Sequence, residues 1–447
     1  MKGSKAALTS GPIGKTLFTM TMGMLVGHVT MTVFQLTDTY FVSKLGTSEL
    51  AAMSFTFPLI MLVNHFMFGL GIGTSAVISK AIGENSFDKV RRYTTDCFLL
   101  VIIIGAVLSA LGLILSRTIF SSLGASGETL ELVMSYMTIW FLGFPLGAIP
   151  MVLNNAIRAT GDTKTPGFIM AGVSVLNMIL DPLFIFGIWF FPEMGIKGAA
   201  VATIISRIVS TGIAFSYMHF KMKMFDTKVP QFSEVMNSWK KILTLGIPSS
   251  FSLMLMPISL AIITRIIASY GDQAVAAAGA GGRIDMLALM VIFSLSSVML
   301  PFTGQNFGAG KISRIKKALD KANFFSFGWG VFMLLMFFFF KSNIAALFST
   351  DKVVVDYINI YLMFMAIAYP AIGVAIMSAN VLNGLHRPGL TAGINFFRTI
   401  ILTIPVAYVG GKIAGPEGVF AGIALSKFLA SFLYNYYAKK QIKLETK

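Results

Sequence analysis

Phe98–Leu115 is eighteen residues long and carries no charged side chain. A helix crosses the hydrocarbon core of a bilayer in about 20 mainly apolar residues. A transmembrane strand would alternate polar and apolar positions, and neither this run nor Val331–Phe340 does so. The spacing predicts helices. Apolar stretches of spanning length recur near 14–42, 49–78, 93–116, 130–157, 166–190 and 196–218, then near 242–268, 275–303, 320–341, 353–382, 389–410 and 416–437. Charged residues are only 12% of the 447, against 55% hydrophobic, whereas soluble domains carry about 25% charged residues. That excludes an ordinary water-soluble enzyme and a disordered chain. Cys97 is the single cysteine, which excludes a disulfide scaffold and a cysteine-rich metal site. The expected fold is an all-α polytopic membrane protein of twelve transmembrane helices.

The net charge of +16 has an address. With the N-terminus inside, 24 of the 35 Lys and Arg residues fall on inner loops and tails, seven fall outside, and four (Arg207, Arg283, Arg398 and Lys427) lie within spans. The positive-inside bias then predicts cytoplasmic termini and an even span count. The basic loops face an anionic leaflet and call for no nucleic acid partner. The first apolar run is longer than a signal h-region and lacks an A-x-A site, so it reads as span one. The expected location is the cell's inner (plasma) membrane.

A shift of 225 residues superposes the first four spans of each half. Gly46 falls on Gly271, the basic loop Gly83 to Arg92 on Gly308 to Lys317, Tyr136 on Tyr361, Pro145 on Pro370 and Asn155 on Asn380. At a shift of 220, Gly195, Gly198 and Ser206 fall on Gly415, Gly418 and Ser426. The reading is an N-lobe at 1–228 with spans one to six and a C-lobe at 229–447 with spans seven to twelve. Six spans per half give both lobes one orientation, a transporter architecture with its site between repeats.

Carboxylates inside spans are costly, about 2.5–3.5 kcal/mol for an Asp at a helix centre on insertion scales, and mark function by default. Asp38 shares a polar face of span one with His28, Met31 and Gln35; Asp181 shares a face of span five with Met170, Ser174 and Asn177. Pro182 frees the Met178 carbonyl and kinks the helix there. Two nearby carboxylates in a low dielectric cannot both remain bare, so one takes a proton or a cation binds. Asp38 and Asp181 are therefore expected to couple transport to an ion, with helix-bridging hydrogen bonds as the bland alternative. Asp285, two residues from Arg283 and with Arg398 also deep in a span, reads as a structural ion pair. Arg207 and Lys427 occupy matching places in the two halves, and their partners are left open. Phe57, Met61, Met170, Met254 and Met256 are expected to line the cleft, where thioethers and aromatic faces suit lipophilic cations. No P-loop, HExxH or Gly-x-Ser-x-Gly is present and the four His are dispersed. No enzyme, cofactor or nucleotide-driven pump is expected, and the energy must come from an ion gradient.

Asn154-Asn-Ala-Ile-Arg158-Ala-Thr-Gly161-Asp162-Thr-Lys-Thr-Pro166, Asn177…Asp181-Pro182 and Gly198-Ala-Ala-Val-Ala-Thr203 resemble the multidrug and toxic compound extrusion (MATE) transporters over essentially the whole chain. The resemblance implies two six-helix bundles in a V shape that exchange drug for H⁺ or Na⁺ by alternating access. It places the coupling ion, Na⁺ included, at Asp38, Asn177, Asp181 and Thr203. It places Phe57, Met61, Asn154, Met170 and Asn177 in the substrate chamber, to which Gln35 and Met256 are added. A NorM-like branch also has acids on spans seven and ten; Met256 and about Ile372 stand there, so the chain resembles the DinF-like branch. The expected activity is antiport of amphipathic, cationic organic compounds, in a monomer embedded in lipid without an obligate protein partner. The alternative is a flippase for a lipid-linked saccharide, which would need a cationic cleft, for which Arg283, Arg398 and Lys427 are the candidates.

Overall fold

A computed structural model gives the described residues, 7–228 and 230–446, as helices and connecting turns without a strand. The first half runs through α1 (Ile13–Ser43), α2 (Thr47–Gly83), α3 (Phe87–Ser122), α4 (Gly127–Gly147), α5 (Ile149–Ala159), α6 (Lys164–Phe186) and α7 (Ile196–Ser216). The second runs through α8 (Phe232–Ala268), α9 (Asp272–Ala288), α10 (Met290–Gly308), α11 (Ile312–Ala346), α12 (Lys352–Gly384), α13 (Pro388–Phe396) and α14 (Ile404–Thr446). A π-helical stretch, Phe397–Thr403, joins α13 to α14.

Among the described residues, ten helical stretches are long and apolar enough to cross a membrane, and α9 with α10, bent by 53°, makes an eleventh. The last stretch, Pro388–Thr446, has 59 residues, about 88 Å of helix at 1.5 Å per residue and far too long for one crossing. It breaks at Ala414 (φ −136°) and Gly415 (φ 60°), just before Pro416. Its two arms fold back on each other: Gly410 meets Gly418 backbone to backbone, and a Cβ on Gly422 would lie 2.8 Å from the Val406 carbonyl oxygen. The stretch is a helical hairpin of two spans, and the crossings among the described residues number twelve. Several helices overshoot their apolar runs. α3 begins at Phe87 and α8 at Phe232, in turns carrying Lys89, Arg91, Lys240 and Lys241. Hydropathy follows the lipid, whereas a helix continues as long as its backbone hydrogen bonds do.

The chain packs as two compact units, and chain order does not decide membership. The first unit contains Met22–Ser250 and so takes the opening turns of α8. Ser250 Oγ donates to the Phe66 carbonyl at 2.6 Å, Trp239 Nε1 to the Asp96 carbonyl at 2.9 Å, and Lys241 Nζ to Tyr93 Oη at 2.9 Å. A Cβ on Gly73 would lie 2.6 Å from Gly246 N, so α2 and α8 meet where neither has a side chain. The second unit contains residues from Phe251 on and the N-terminal Leu8–Thr21. There Leu8 N donates to Gln305 Oε1 at 3.1 Å, Lys311 Nζ to the Thr9 carbonyl at 2.9 Å, and Arg314 to the carbonyls of Gly11 and Ser10.

Candidate functional site

Small residues set the register of α1 against α6. A Cβ on Gly23 would lie 3.0 Å from Thr163 Oγ1, and one on Gly27 would lie 3.0 Å from the Gly167 carbonyl oxygen and 3.2 Å from Met170 Cβ. The matched numbers rise together, so the helices run parallel with their backbones in contact, the Gly-x-x-x-Gly manner of packing. Asp38 follows Gly27 by eleven residues and Asp181 follows Met170 by eleven. Both carboxylates therefore stand about 16 Å along their helices from one contact point. The Asp38 carboxyl is the immediate neighbour of the Asp181 carboxyl.

The surroundings of this pair are short of hydrogen bonds. Asp181 is fully buried and Asn177, one turn earlier, is 2% exposed. Neither Asp181 oxygen has a donor, and neither end of the Asn177 amide has a partner. Buried polar atoms without partners are rare and costly. Three of the four, the Asp181 oxygens and Asn177 Oδ1, are hard oxygens on consecutive turns of one helix beside a second carboxylate, a set able to take a proton or a small cation. Pro182 follows directly inside α6; it has no N–H, so the Met178 carbonyl loses its i+4 donor beside the pair. Further on, Gly187 (φ 65°) ends α6, and Met194 N and Gly195 N return to the carbonyls of Phe184 and Ile185 at 3.0 and 3.1 Å.

Tyr136 of α4 and Arg207 of α7 complete the charged neighbourhood. Tyr136 is 5% exposed and sits where the charges of Asp38, Arg207 and Asp181 all bear on it. Arg207 places its guanidinium 5.8 Å from the Trp140 ring centroid, with Nη1 buried and unpartnered. Thr203, half-buried on α7, shares a face with Ser206 and Arg207, and Ser206 Oγ is likewise unpartnered. Tyr136 appears in the sequence only as a repeat marker; its place beside the carboxyls comes from the packing of α4. His28 lies instead near Arg158.

The expected chamber residues differ in exposure. Met61, Asn154 and Met170 are half-buried in the first unit, and Asn154 Oδ1 is buried without a partner. Gln35 and Phe57 are exposed, and Met256, 56% exposed, belongs to the second unit.

The expected Arg283–Asp285–Arg398 pairing does not form. Asp285 accepts from Tyr361 Oη at 2.8 Å and Tyr369 Oη at 2.5 Å, and its cation is Lys427, with Nζ 3.9 Å from Oδ2. Arg283 is exposed, because residues two apart on a helix point to opposite sides. Arg398 turns to its own helix and donates from Nη2 to Asn395 Oδ1 at 2.6 Å. The repeat carried the missed signal: Tyr361 corresponds to Tyr136, and Lys427 to Arg207.

The Gly161-Asp162-Thr-Lys-Thr run has a structural role. Asp162 accepts from Thr165 N at 3.0 Å, Thr165 Oγ1 at 2.7 Å and Tyr217 Oη at 2.6 Å, anchoring the start of α6 in the manner of an N-cap. The sequence profile of the MatE family matches residues 24–183 and 248–409. The chain belongs to the MatE family. This MatE protein is thus a multi-pass membrane transporter and not an enzyme. It is 36% identical over 433 residues to the FAD transporter of Shewanella oneidensis, spanning 97% of this chain and 96% of that one. It is 25% identical to the multidrug export protein MepA of Staphylococcus aureus, over 97% and 96%. The MATE transporter VcmN of Vibrio cholerae in its bent form superposes with a TM-score of 0.90 at 29% identity, covering 99% of this chain and 98% of that one.

Proposed function

We propose that this MatE transporter is a secondary antiporter that exports organic solutes in exchange for H⁺ or Na⁺. The observation that carries the reading is the adjacency of Asp38 and Asp181, with the unpartnered Asn177 amide beside them. Adjacent carboxylates in a low dielectric repel, so a bound proton or cation is part of their stable state. Asp38, Asp181, Asn177 and Thr203 supply oxygen to Na⁺, or the pair shares a proton. Pro182, directly after Asp181, weakens the helix at that point and joins occupancy of the site to bending of α6. Gln35, Phe57, Met61, Asn154, Met170 and Asn177 receive the solute on the first lobe (1–228), and Met256 on the second (229–447), with alternating access between them. The protein works as a monomer in the inner membrane with both termini in the cytoplasm, a placement the distribution of Lys and Arg supports. The test is dye efflux from proteoliposomes under an imposed proton or Na⁺ gradient. Efflux that follows one gradient and disappears in Asp38→Asn and Asp181→Asn is expected; undiminished coupled efflux in both variants overturns the reading.

Two substrate classes follow from the relatives. Amphipathic organic compounds fit the names of the multidrug relatives. A flavin dinucleotide is favoured by the 36% identical FAD transporter and by Lys427 and Arg398, two cations within the spans of the second unit.

A further inference from the structure

We infer that Lys427 is the binding point for a phosphate group of the transported solute, an inference that deepens the flavin-dinucleotide reading and rests on it. Lys427 has a carboxylate nearby but few acceptors. Its ammonium has three N–H donors. Asp285 Oδ2 lies at 3.9 Å, beyond hydrogen-bond reach, and the other neighbour is the Met365 thioether, also at 3.9 Å, a weak acceptor. The Asp285 carboxylate is meanwhile held by the hydroxyls of Tyr361 and Tyr369. It compensates the charge of Lys427 at a distance and leaves its donors open. Lys427 and Asp285 are 27% and 13% exposed, so neither is sealed inside the packed helices.

Charge points the same way. Among the described residues, the charges bearing on Lys427 are Asp285 and Arg398, two cations against one carboxylate. Arg398 uses Nη2 on Asn395, while its Nε is buried without a partner. An uncompensated positive charge in a low-dielectric setting attracts an anion strongly. The repeat sharpens the contrast. Arg207 corresponds to Lys427, Trp140 to Met365 and Tyr136 to Tyr361. In the first unit the cation lies over the Trp140 ring, and Tyr136, on which its charge acts, also feels two carboxylates, Asp38 and Asp181. In the second unit a thioether replaces the ring and one carboxylate remains. The same position in the two halves thus favours a cation in one and an anion in the other.

The test uses the purified full-length transporter and two probe pairs differing by one phosphate: riboflavin with riboflavin 5′-phosphate, and 4-methylumbelliferone with its phosphate. In equilibrium dialysis the wild type is expected to bind each phosphate at least about tenfold more tightly than its parent. Lys427→Gln removes that preference without weakening the parent, and Lys427→Arg keeps it. Asp285→Asn, which leaves Lys427 uncompensated, increases it. A preference unchanged in Lys427→Gln, or reduced in Asp285→Asn variants that melt as the wild type does, overturns the inference, as does failure of both phosphates to bind. A Lys427-dependent preference with the umbelliferone pair alone upholds the site and sinks the flavin reading. Equal flavin binding independent of Lys427 upholds the flavin reading and sinks the site.

Discussion

Gly27 of α1 rests on Gly167 of α6 with no side chain between them, and a Cβ at Gly27 would lie 3.0 Å from the Gly167 carbonyl oxygen. This contact brings the acidic ends of two parallel helices to one depth, and it is open to test. A Cβ at Gly167 would overlap the Gly23 carbonyl oxygen, whereas one at Gly172 would meet nothing within 4 Å. Gly167→Ala is expected to cost about 1–3 kcal/mol through overpacking and to weaken ion coupling with it. Gly172→Ala, on the same helix, should be neutral or stabilising by up to about 1 kcal/mol. Thermal unfolding in detergent, paired with efflux assays, separates the two; equal losses would show that the α1–α6 contact does not set the site.

Asp38→Asn and Asp181→Asn should remove coupling without unfolding the protein. Asp181 takes no donor from outside the carboxyl pair, so Asp181→Asn orphans none. Replacing one of two adjacent carboxylates relieves like-charge repulsion. Each variant is therefore expected to melt at or above the wild-type temperature, while gradient-driven efflux falls to the level of protein-free vesicles. A large drop in melting temperature would instead mark the carboxylates as structural.

Pro182→Ala restores a donor to the Met178 carbonyl and removes the ring that crowds the preceding turn of α6. Helix-interior prolines cost about 3 kcal/mol, so α6 should become firmer. The expected signature is retained ion binding, read by isothermal titration, with slowed efflux. Wild-type efflux rates in this variant would separate Pro182 from the transport cycle.

Two tryptophans hold their units from within. Trp239 Nε1 donates to the Asp96 carbonyl at 2.9 Å, fastening the start of α8 to α3, and Trp329 Nε1 donates to the Ala288 carbonyl at 2.8 Å, holding α11 to the end of α9. Trp239→Phe and Trp329→Phe should each cost about 0.5–1.5 kcal/mol for a part-buried hydrogen bond. Neither residue belongs to the carboxyl pair, so the ion dependence of transport should keep its midpoint. Urea or thermal unfolding checks the first expectation and an ion titration of efflux the second.

Much of this was legible along the chain. The break at Gly415-Pro416 falls between the last two apolar stretches, where positive φ and the missing N–H end a helix. Asp38 and Asp181 stood out because an acid in an apolar run has no local explanation. Asp285 was equally visible, and yet its partner was not. Arg283 is nearer in sequence but leaves the helix on another side, while Lys427, some 140 residues away, arrives from α14. Tyr136 joins the carboxyls, and Arg207 joins Tyr136, for the same reason: the azimuths at which α4 and α7 pack are not encoded in any one helix.

The sequence by itself determined which segments cross the membrane, that two halves repeat, and that two aspartates need an account. Each of these follows from local partitioning between water and lipid, which a single segment decides alone. Only the tertiary structure decided that Leu8–Thr21 packs with the second unit and the start of α8 with the first, and that Asp285 answers to Lys427. Inside a membrane the lipid-facing and protein-facing sides of a helix are nearly equally apolar. Hydrophobic periodicity therefore cannot say which side packs, and glycine contacts and buried hydrogen bonds, formed only when the helices meet, make that choice.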